Sequence, residues 1–174
     1  MTTRRLVILR HAKAANPTGV ADVERPLTDR GHADAAAAGV WLSHSGLTPD
    51  LVLCSPARRT RQTWHGVALG LAEAAPTDTG ESQTSPTVRY DEAIYGASVR
   101  TLMATVRAAT EDAATIVLIG HNPGLSELSA TLDPDKADPD GLRTAGIAVH
   151  DVTDSWSDVG PGNAPLSTSH TARA

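Results

Sequence analysis

Hydrophobic residues along this chain fall into short continuous runs and into longer stretches with helical spacing. Short β-branched runs bounded by turn residues are typical of buried strands, whereas apolar positions three or four residues apart indicate amphipathic helices. These patterns predict strands over residues 4–9, 50–54, 87–90, 116–120 and 145–149, and helices over residues 29–43, 56–71, 99–106 and 123–132. Because the strands and helices alternate, we predict an α/β fold, a three-layer α/β/α sandwich with a mostly parallel central sheet.

Polar residues mark the points where the predicted helices begin. Thr28 or Asp29 can cap the first helix, and Ser98 can cap the third. Ser55-Pro56 suits the N-cap and first turn of the second helix.

Two segments lack any periodic pattern. Residues 75–86 are rich in Pro, Thr, Ser and Gly and predict an exposed loop. Beyond residue 155 the chain consists largely of small and polar residues. We therefore predict one domain over residues 1–155 and a loosely ordered C-terminal tail over residues 156–174.

Composition narrows the function classes. The chain of 174 residues has a formal net charge of −5, which argues against nucleic-acid and membrane-surface partners. No apolar run approaches the roughly 20 residues that span a bilayer. The single cysteine, Cys54, permits no disulfide within the chain, which agrees with a cytoplasmic protein. The acidic balance has one local exception, a cluster formed by Arg58, Arg59 and Arg61.

Two predicted strands end in the same way. Residues 6–11 and 116–121 are each an apolar run that stops at a histidine, and Arg10 precedes the first of these histidines. The carboxyl ends of parallel strands meet at one edge of an α/β sheet, where ligands bind. If the two strands are neighbours, His11 and His121 face one pocket with Arg10 beside them.

These residue types suit an anionic substrate. Arginine binds phosphate through planar bidentate hydrogen bonds, and helix N-termini add backbone N–H donors. A histidine among cations resists protonation, so its neutral and nucleophilic form persists near neutral pH. The combination predicts a phosphate pocket with a nitrogen nucleophile. The alternatives are hydrogen-bonded structural histidines, a solvated arginine face, or half of a metal site; no further histidine has ligand-like spacing to His11 or His121.

Four short motifs occur in a fixed order along the chain. They stand at residues 9–12 (Leu-Arg-His-Ala), 25–31 (Arg-Pro-Leu-Thr-Asp-Arg-Gly), 55–63 (Ser-Pro-Ala-Arg-Arg-Thr-Arg-Gln-Thr) and 120–123 (Gly-His-Asn-Pro). In this order the chain resembles the histidine phosphatase superfamily, and in particular its compact branch, the SixA-like phosphohistidine phosphatases. The resemblance implies a phosphoglycerate mutase-like fold and a phosphatase that uses no metal and no cofactor.

The resemblance also implies a role for each motif residue. His11 would be the nucleophile that becomes transiently phosphorylated, and Arg10 would bind the phosphoryl oxygens. Arg59 aligns with the family's invariant arginine. His121 matches the second histidine, which hydrogen-bonds the transferring group. Ala12 stands where many members have glycine, and alanine occurs at this position in the SixA-like branch.

The sequence leaves more than one assignment open for the general acid and for the substrate. Related branches use a carboxylic acid to protonate the leaving oxygen, and here Asp91 and Glu92 are the candidates in chain order. We assign Glu92, with a solvated turn carboxylate as the alternative. A phosphoramidate leaves more readily than an alkoxide, and the chain has little length for a lid, so phosphohistidine in a protein is the expected substrate. Small phosphate esters, such as sugar or nucleotide phosphates, and an inactive phosphate-binding module are the alternatives.

Overall fold

Parallel strands form the centre of one sheet. In the computed structural model, which describes residues 3–77 and 85–174, the strands are β1 (Arg4–Arg10), β2 (Leu51–Cys54), β3 (Thr87–Tyr90), β4 (Thr115–Gly120), β5 (Gly146–Val152) and β6 (Leu166–Thr171). Their order in the sheet is β3-β2-β4-β1-β5-β6. The first four strands in this order pair in parallel with one another, whereas β5 is antiparallel to both β1 and β6. The predicted mostly parallel sheet is confirmed.

Helices cover both faces of the sheet. They are α1 (Asp29–His44), α2 (Arg58–Ala74), α3 (Val99–Arg107) and α4 (Gly124–Leu132). Successive residues of β1 are buried on opposite faces: Leu6 and Ile8 pack with α3 and α4, and Val7 and Leu9 pack with α1 and α2. A strand buried on both sides must be apolar throughout, which is why these runs are continuous in the sequence. The three-layer α/β/α sandwich is confirmed.

Helices α1 and α2 approach each other closely because glycines stand at their contact. A Cβ atom on Gly39 would lie 2.1 Å from the carbonyl oxygen of Val67, and one on Gly70 would lie 2.0 Å from that of Ala36. The packing fixes α2 against α1, and the first turn of α2 carries the arginine cluster.

The helix starts agree with the sequence at two of three predicted caps. Thr28 Oγ1 accepts a backbone hydrogen bond at 3.0 Å, and Ser98 Oγ accepts one at 3.3 Å. The predicted cap at Ser55 was wrong, because α2 begins at Arg58 with Ala57 as its N-cap. Ser55 Oγ instead accepts from the Ala57 N–H at 3.3 Å, which closes a short turn before the helix.

The C-terminal segment belongs to the fold, so the prediction of a loosely ordered tail over residues 156–174 was wrong. Trp156 is fully buried, and its indole N–H donates to the Ala113 carbonyl oxygen at 2.8 Å. β6 then pairs with β5 at the sheet edge. Most β6 side chains are exposed, because backbone hydrogen bonds hold an edge strand without an apolar pattern.

Within the predicted loop over residues 75–86, residues 78–84 lie outside the described residues. The predicted strand that follows the loop is present as β3. Across residues 3–77 and 85–174, no helix combines the length and apolar character needed to cross a membrane.

Candidate active site

The ends of β1 and β4 bring the two histidines together. The strands are neighbours in parallel register, with Arg10 opposite Gly120. His11 and His121 follow directly, and the centroids of their rings lie 5.5 Å apart at an interplanar angle of 54°. The two strands are therefore neighbours, as the prediction required, and they deliver both side chains to one pocket.

His11 is fixed in one tautomer. Its Nδ1–H donates to the carbonyl oxygen of Ala12 at 2.8 Å, which leaves the lone pair on Nε2. Burial is the main reason that the pKa of His11 falls to about 4; the Ala12 hydrogen bond opposes the fall, and the charges of Arg59 and Arg10 add to it. The side chain is therefore a neutral nitrogen nucleophile near pH 7.

The segment after His11 is tied to α2. The Ala12 N–H donates to Thr63 Oγ1 at 3.0 Å, and the Thr63 hydroxyl donates to the Arg59 carbonyl oxygen at 2.7 Å. Arg59 and Thr63 are four residues apart and share one face of the helix. The same helical face thus positions both the nucleophile segment and the buried arginine.

His121 is held by a residue of the turn before α2. Its Nε2 lies 2.7 Å from Ser55 Oγ, and the Tyr95 ring packs edge-on against it at a centroid distance of 5.4 Å. Burial, and then the charges of Arg59 and His11, lower the pKa of His121 to about 3. When the Ser55 hydroxyl donates to Nε2, the proton of His121 is on Nδ1, a buried atom with no partner among the described residues.

Two guanidinium groups complete the pocket. Arg10 Nη1 donates to the Leu142 carbonyl oxygen at 3.1 Å, and burial lowers the pKa of Arg10. Arg59, only 6% exposed, donates from Nη1 and Nη2 to Asp22. The Nε atoms of both arginines are buried and have no hydrogen-bond partner in the described part of the chain. Both are buried donors that an oxyanion would satisfy, and Nδ1 of His121 is a third when the Ser55 hydroxyl donates to Nε2.

Asp22 and Tyr95 are functional candidates that the sequence did not reveal. Asp22 accepts from Arg59 Nη2 at 3.0 Å and from the Tyr95 hydroxyl. The Tyr95 hydrogen bond, with the one from Arg59, lowers the pKa of Asp22 to about 2. Asp22 is therefore ionised and pairs with Arg59 at the rim of the pocket. Neither residue follows a motif or periodic pattern, and no signal in the sequence could have linked them.

No hydrogen bond or ion pair among the described residues links the side chains of the acidic candidates to the other four residues. Asp91 Oδ1 accepts from the Ala93 N–H at 2.9 Å and caps the short 3₁₀ helix Glu92–Ile94. Glu92 is exposed, and its carboxylate forms no ion pair or hydrogen bond with a described residue of the pocket. His11, Arg10, Arg59 and His121 therefore lie together, whereas Glu92 stays a prediction.

A cysteine nucleophile and a metal site are two other kinds of catalytic centre that the sequence raised. Burial raises the pKa of the Cys54 thiol to about 12, so this cysteine is not a thiolate nucleophile near neutral pH. Within residues 3–77 and 85–174, no three His, Cys, Asp or Glu side chains are grouped so that they could hold a metal ion.

Comparison with known proteins identifies the family. A family model described as the histidine phosphatase superfamily (branch 1) matches residues 6–82, which include His11 and Arg59. The SixA protein of Nakamurella multipartitia is 32% identical, with a TM-score of 0.81 over 99% of this chain and 98% of that one. The chain belongs to the histidine phosphatase superfamily. This histidine phosphatase is also 36% identical to an uncharacterized protein of Mycobacterium tuberculosis (strain H37Rv) over 95% of its own chain and all of the other.

A further solved structure is similar to this histidine phosphatase. The protein histidine phosphatase SixA, in complex with tungstate, is 25% identical, with a TM-score of 0.74 over 96% of each chain. The expected SixA-like resemblance and the phosphoglycerate mutase-like fold are confirmed, and the protein is a histidine-type phosphatase.

Proposed function

We propose that this histidine phosphatase removes the phosphoryl group from phosphohistidine in a protein, through a phosphohistidine formed on its own His11. The observation that carries the proposal is a neutral nucleophile in one pocket with three buried nitrogens that have no partners in the described residues: Arg10 Nε, Arg59 Nε and His121 Nδ1. The His121 nitrogen is a donor when the Ser55 hydroxyl donates to Nε2. A phosphoryl group has three peripheral oxygens that can accept from such donors.

The reaction proceeds in two transfers. His11 Nε2 attacks phosphorus, the new P–N bond forms, and the bond to the leaving nitrogen breaks as that nitrogen takes a proton from solvent. Water then attacks the phosphohistidine, the P–Nε2 bond breaks, and inorganic phosphate leaves while His11 returns to its neutral form. Arg10, Arg59 and His121 stabilise the charge on the phosphoryl oxygens in both steps.

The acidic residues favour a nitrogen leaving group over an alkoxide. Asp22 lies at the pocket, but with a pKa of about 2 it carries no proton to donate near neutral pH. Glu92, our proposed acid for ester substrates, is exposed and forms no ion pair with a described residue of the pocket. An imidazole leaving group needs less help from an acid than an alkoxide does, so phosphohistidine suits this site better than a stable ester.

Substrate preference tests the proposal directly. In excess EDTA, we expect kcat/KM for a phosphohistidine peptide to exceed that for sugar and nucleotide monophosphates at least tenfold. Turnover measured by phosphate release gives both values. A clear preference for the small esters would show that the proposed substrate is wrong, and activity that requires added metal would contradict the two-transfer scheme.

Glu92→Gln tests the proposed acid. General acids contribute about 10²- to 10⁴-fold when fully positioned. Because Glu92 is exposed, we expect a smaller loss, about tenfold, for an alkyl phosphate, and less than a twofold change for phosphohistidine. Glu73→Gln, at an exposed position near the end of α2, is the matched control. Equal and negligible effects of both substitutions would show that Glu92 is a surface turn residue.

A further inference from the structure

Helix α2 exposes a basic groove beside the catalytic pocket. The groove has a volume of about 590 Å³ and is lined by Pro56, Arg58, Arg61, Gln62, His65 and Tyr90. None of these lining residues carries a carboxylate, although the chain as a whole has a net charge of −5. We call this surface the α2 groove.

The α2 groove and the catalytic pocket use neighbouring faces of one helix. Arg58, Arg61 and His65 are spaced three and four residues apart, so they form one exposed stripe. Arg59 and Thr63 form the adjacent buried stripe, which contacts the nucleophile segment. The catalytic pocket therefore uses only the middle arginine of the cluster.

The two outer arginines are exposed and available to a ligand. Neither Arg58 nor Arg61 takes part in an ion pair with any described residue. At the other side of the groove, Tyr90 is 48% exposed and lies opposite Cys54 in the β2–β3 register. The next residue after Cys54 is Ser55, which contacts His121. The groove therefore lies next to the turn that holds His121, because its lining includes Pro56, the residue after Ser55.

We propose that the α2 groove binds carboxylates that flank the phosphohistidine of an acidic protein substrate. The proposal rests on the proposed function above and names a feature of its substrate. Guanidinium groups bind carboxylates through paired hydrogen bonds. A basic groove on a protein with a net negative charge attracts an acidic segment, and the attraction favours the groove over the acidic parts of the surface.

Paired peptides test the groove. Each carries one phosphohistidine, flanked by aspartates in one peptide and by asparagines in the other. We expect the wild-type protein to turn over the aspartate peptide with a kcat/KM about three- to tenfold higher, since each exposed ion pair contributes a small factor. The preference should decline between about 0.05 and 0.5 M NaCl, because salt screens exposed charges. The double variant Arg58→Glu/Arg61→Glu should abolish or reverse it.

A control variant changes the net charge by the same amount as Arg58→Glu/Arg61→Glu. Arg89→Glu/Arg100→Glu replaces two exposed arginines, one on the α3 side of the sheet next to Leu53 and one on α3 itself, and should keep the preference. An equal preference in wild type and Arg58→Glu/Arg61→Glu would overturn the proposal. The proposal would also be overturned if Arg58→Glu/Arg61→Glu lowered kcat/KM for a small bisphosphate ester as much as for the aspartate peptide. That result would assign the groove to a second phosphate. Wild-type protein that cleaves neither peptide but hydrolyses an aryl phosphate would instead overturn the proposed function.

Discussion

Replacing His11 with asparagine is expected to lower kcat/KM for both phosphohistidine and aryl phosphate by about 10⁴-fold or more. The asparagine amide can still donate to the Ala12 carbonyl oxygen, which the His11 Nδ1–H contacts at 2.8 Å. It offers no lone pair comparable to that of Nε2, so the first transfer has no nucleophile. Phosphate release, measured beside a thermal unfolding curve, separates loss of chemistry from loss of fold.

The covalent intermediate gives a second measurement on the same variant. Brief mixing with a ³²P-labelled substrate should leave a label on the wild-type protein that is labile in acid and stable in alkali, as expected of a phosphohistidine. We expect no label on His11→Asn, and an undiminished label on His32→Asn, which replaces an exposed histidine of α1. Label on His11→Asn, or activity above a hundredth of wild type, would mean that another residue is the nucleophile.

The positions of His11 and His121 could be predicted because their strands are central in the sheet. The central residues of both strands, 6–9 in β1 and 116–119 in β4, are buried on both faces, so these runs are apolar without interruption and their ends are visible in the sequence. Polar residues directly after such strands lie at the ligand-binding edge of the sheet. Local pattern and topology therefore agree for His11 and His121.

The edge strand β6 follows a different rule and could not be predicted. β6 has five exposed side chains of six, so its place depends on backbone hydrogen bonds to β5 rather than on side-chain periodicity. The prediction that Ser55 caps α2 was wrong for a related reason. A serine before a helix is a normal N-cap, but here its hydroxyl is used in the turn itself and in the contact with His121.

The rim of the pocket depends on contacts between distant residues. Asp22 and Tyr95 are 73 positions apart in the chain, and each lies in or next to a short 3₁₀ helix with no apolar pattern. Their hydrogen bond exists only because the sheet brings the two segments together. Tertiary contacts of this kind leave no trace in a single sequence, which explains why the carboxylate that pairs with Arg59 was missed.

Arg59→Gln should affect both catalysis and the protonation of the pocket. Loss of one buried charged donor from the phosphoryl site is expected to reduce kcat about 10²- to 10³-fold. Arg59 also helps to lower the pKa of His11 and His121, so the substitution should raise both values from about 4 and about 3 toward that of a free histidine. The sign follows from charge: a neutral neighbour no longer disfavours the imidazolium. Two-dimensional NMR titration of the imidazole nitrogens measures the shift.

Two control variants make the result specific to the position of the charge. Arg59→Lys keeps the positive charge but loses the planar pair of donors that Asp22 engages at 2.7 and 3.0 Å, so it should keep the histidine pKa values low while restoring only part of kcat. Arg100→Gln, at an exposed position of α3, should change neither quantity. If Arg59→Gln left both pKa values and kcat unchanged, Arg59 would not face the transferring phosphoryl group. A fall in kcat without a rise in pKa would indicate that its role is to hold Asp22 and the rim of the pocket.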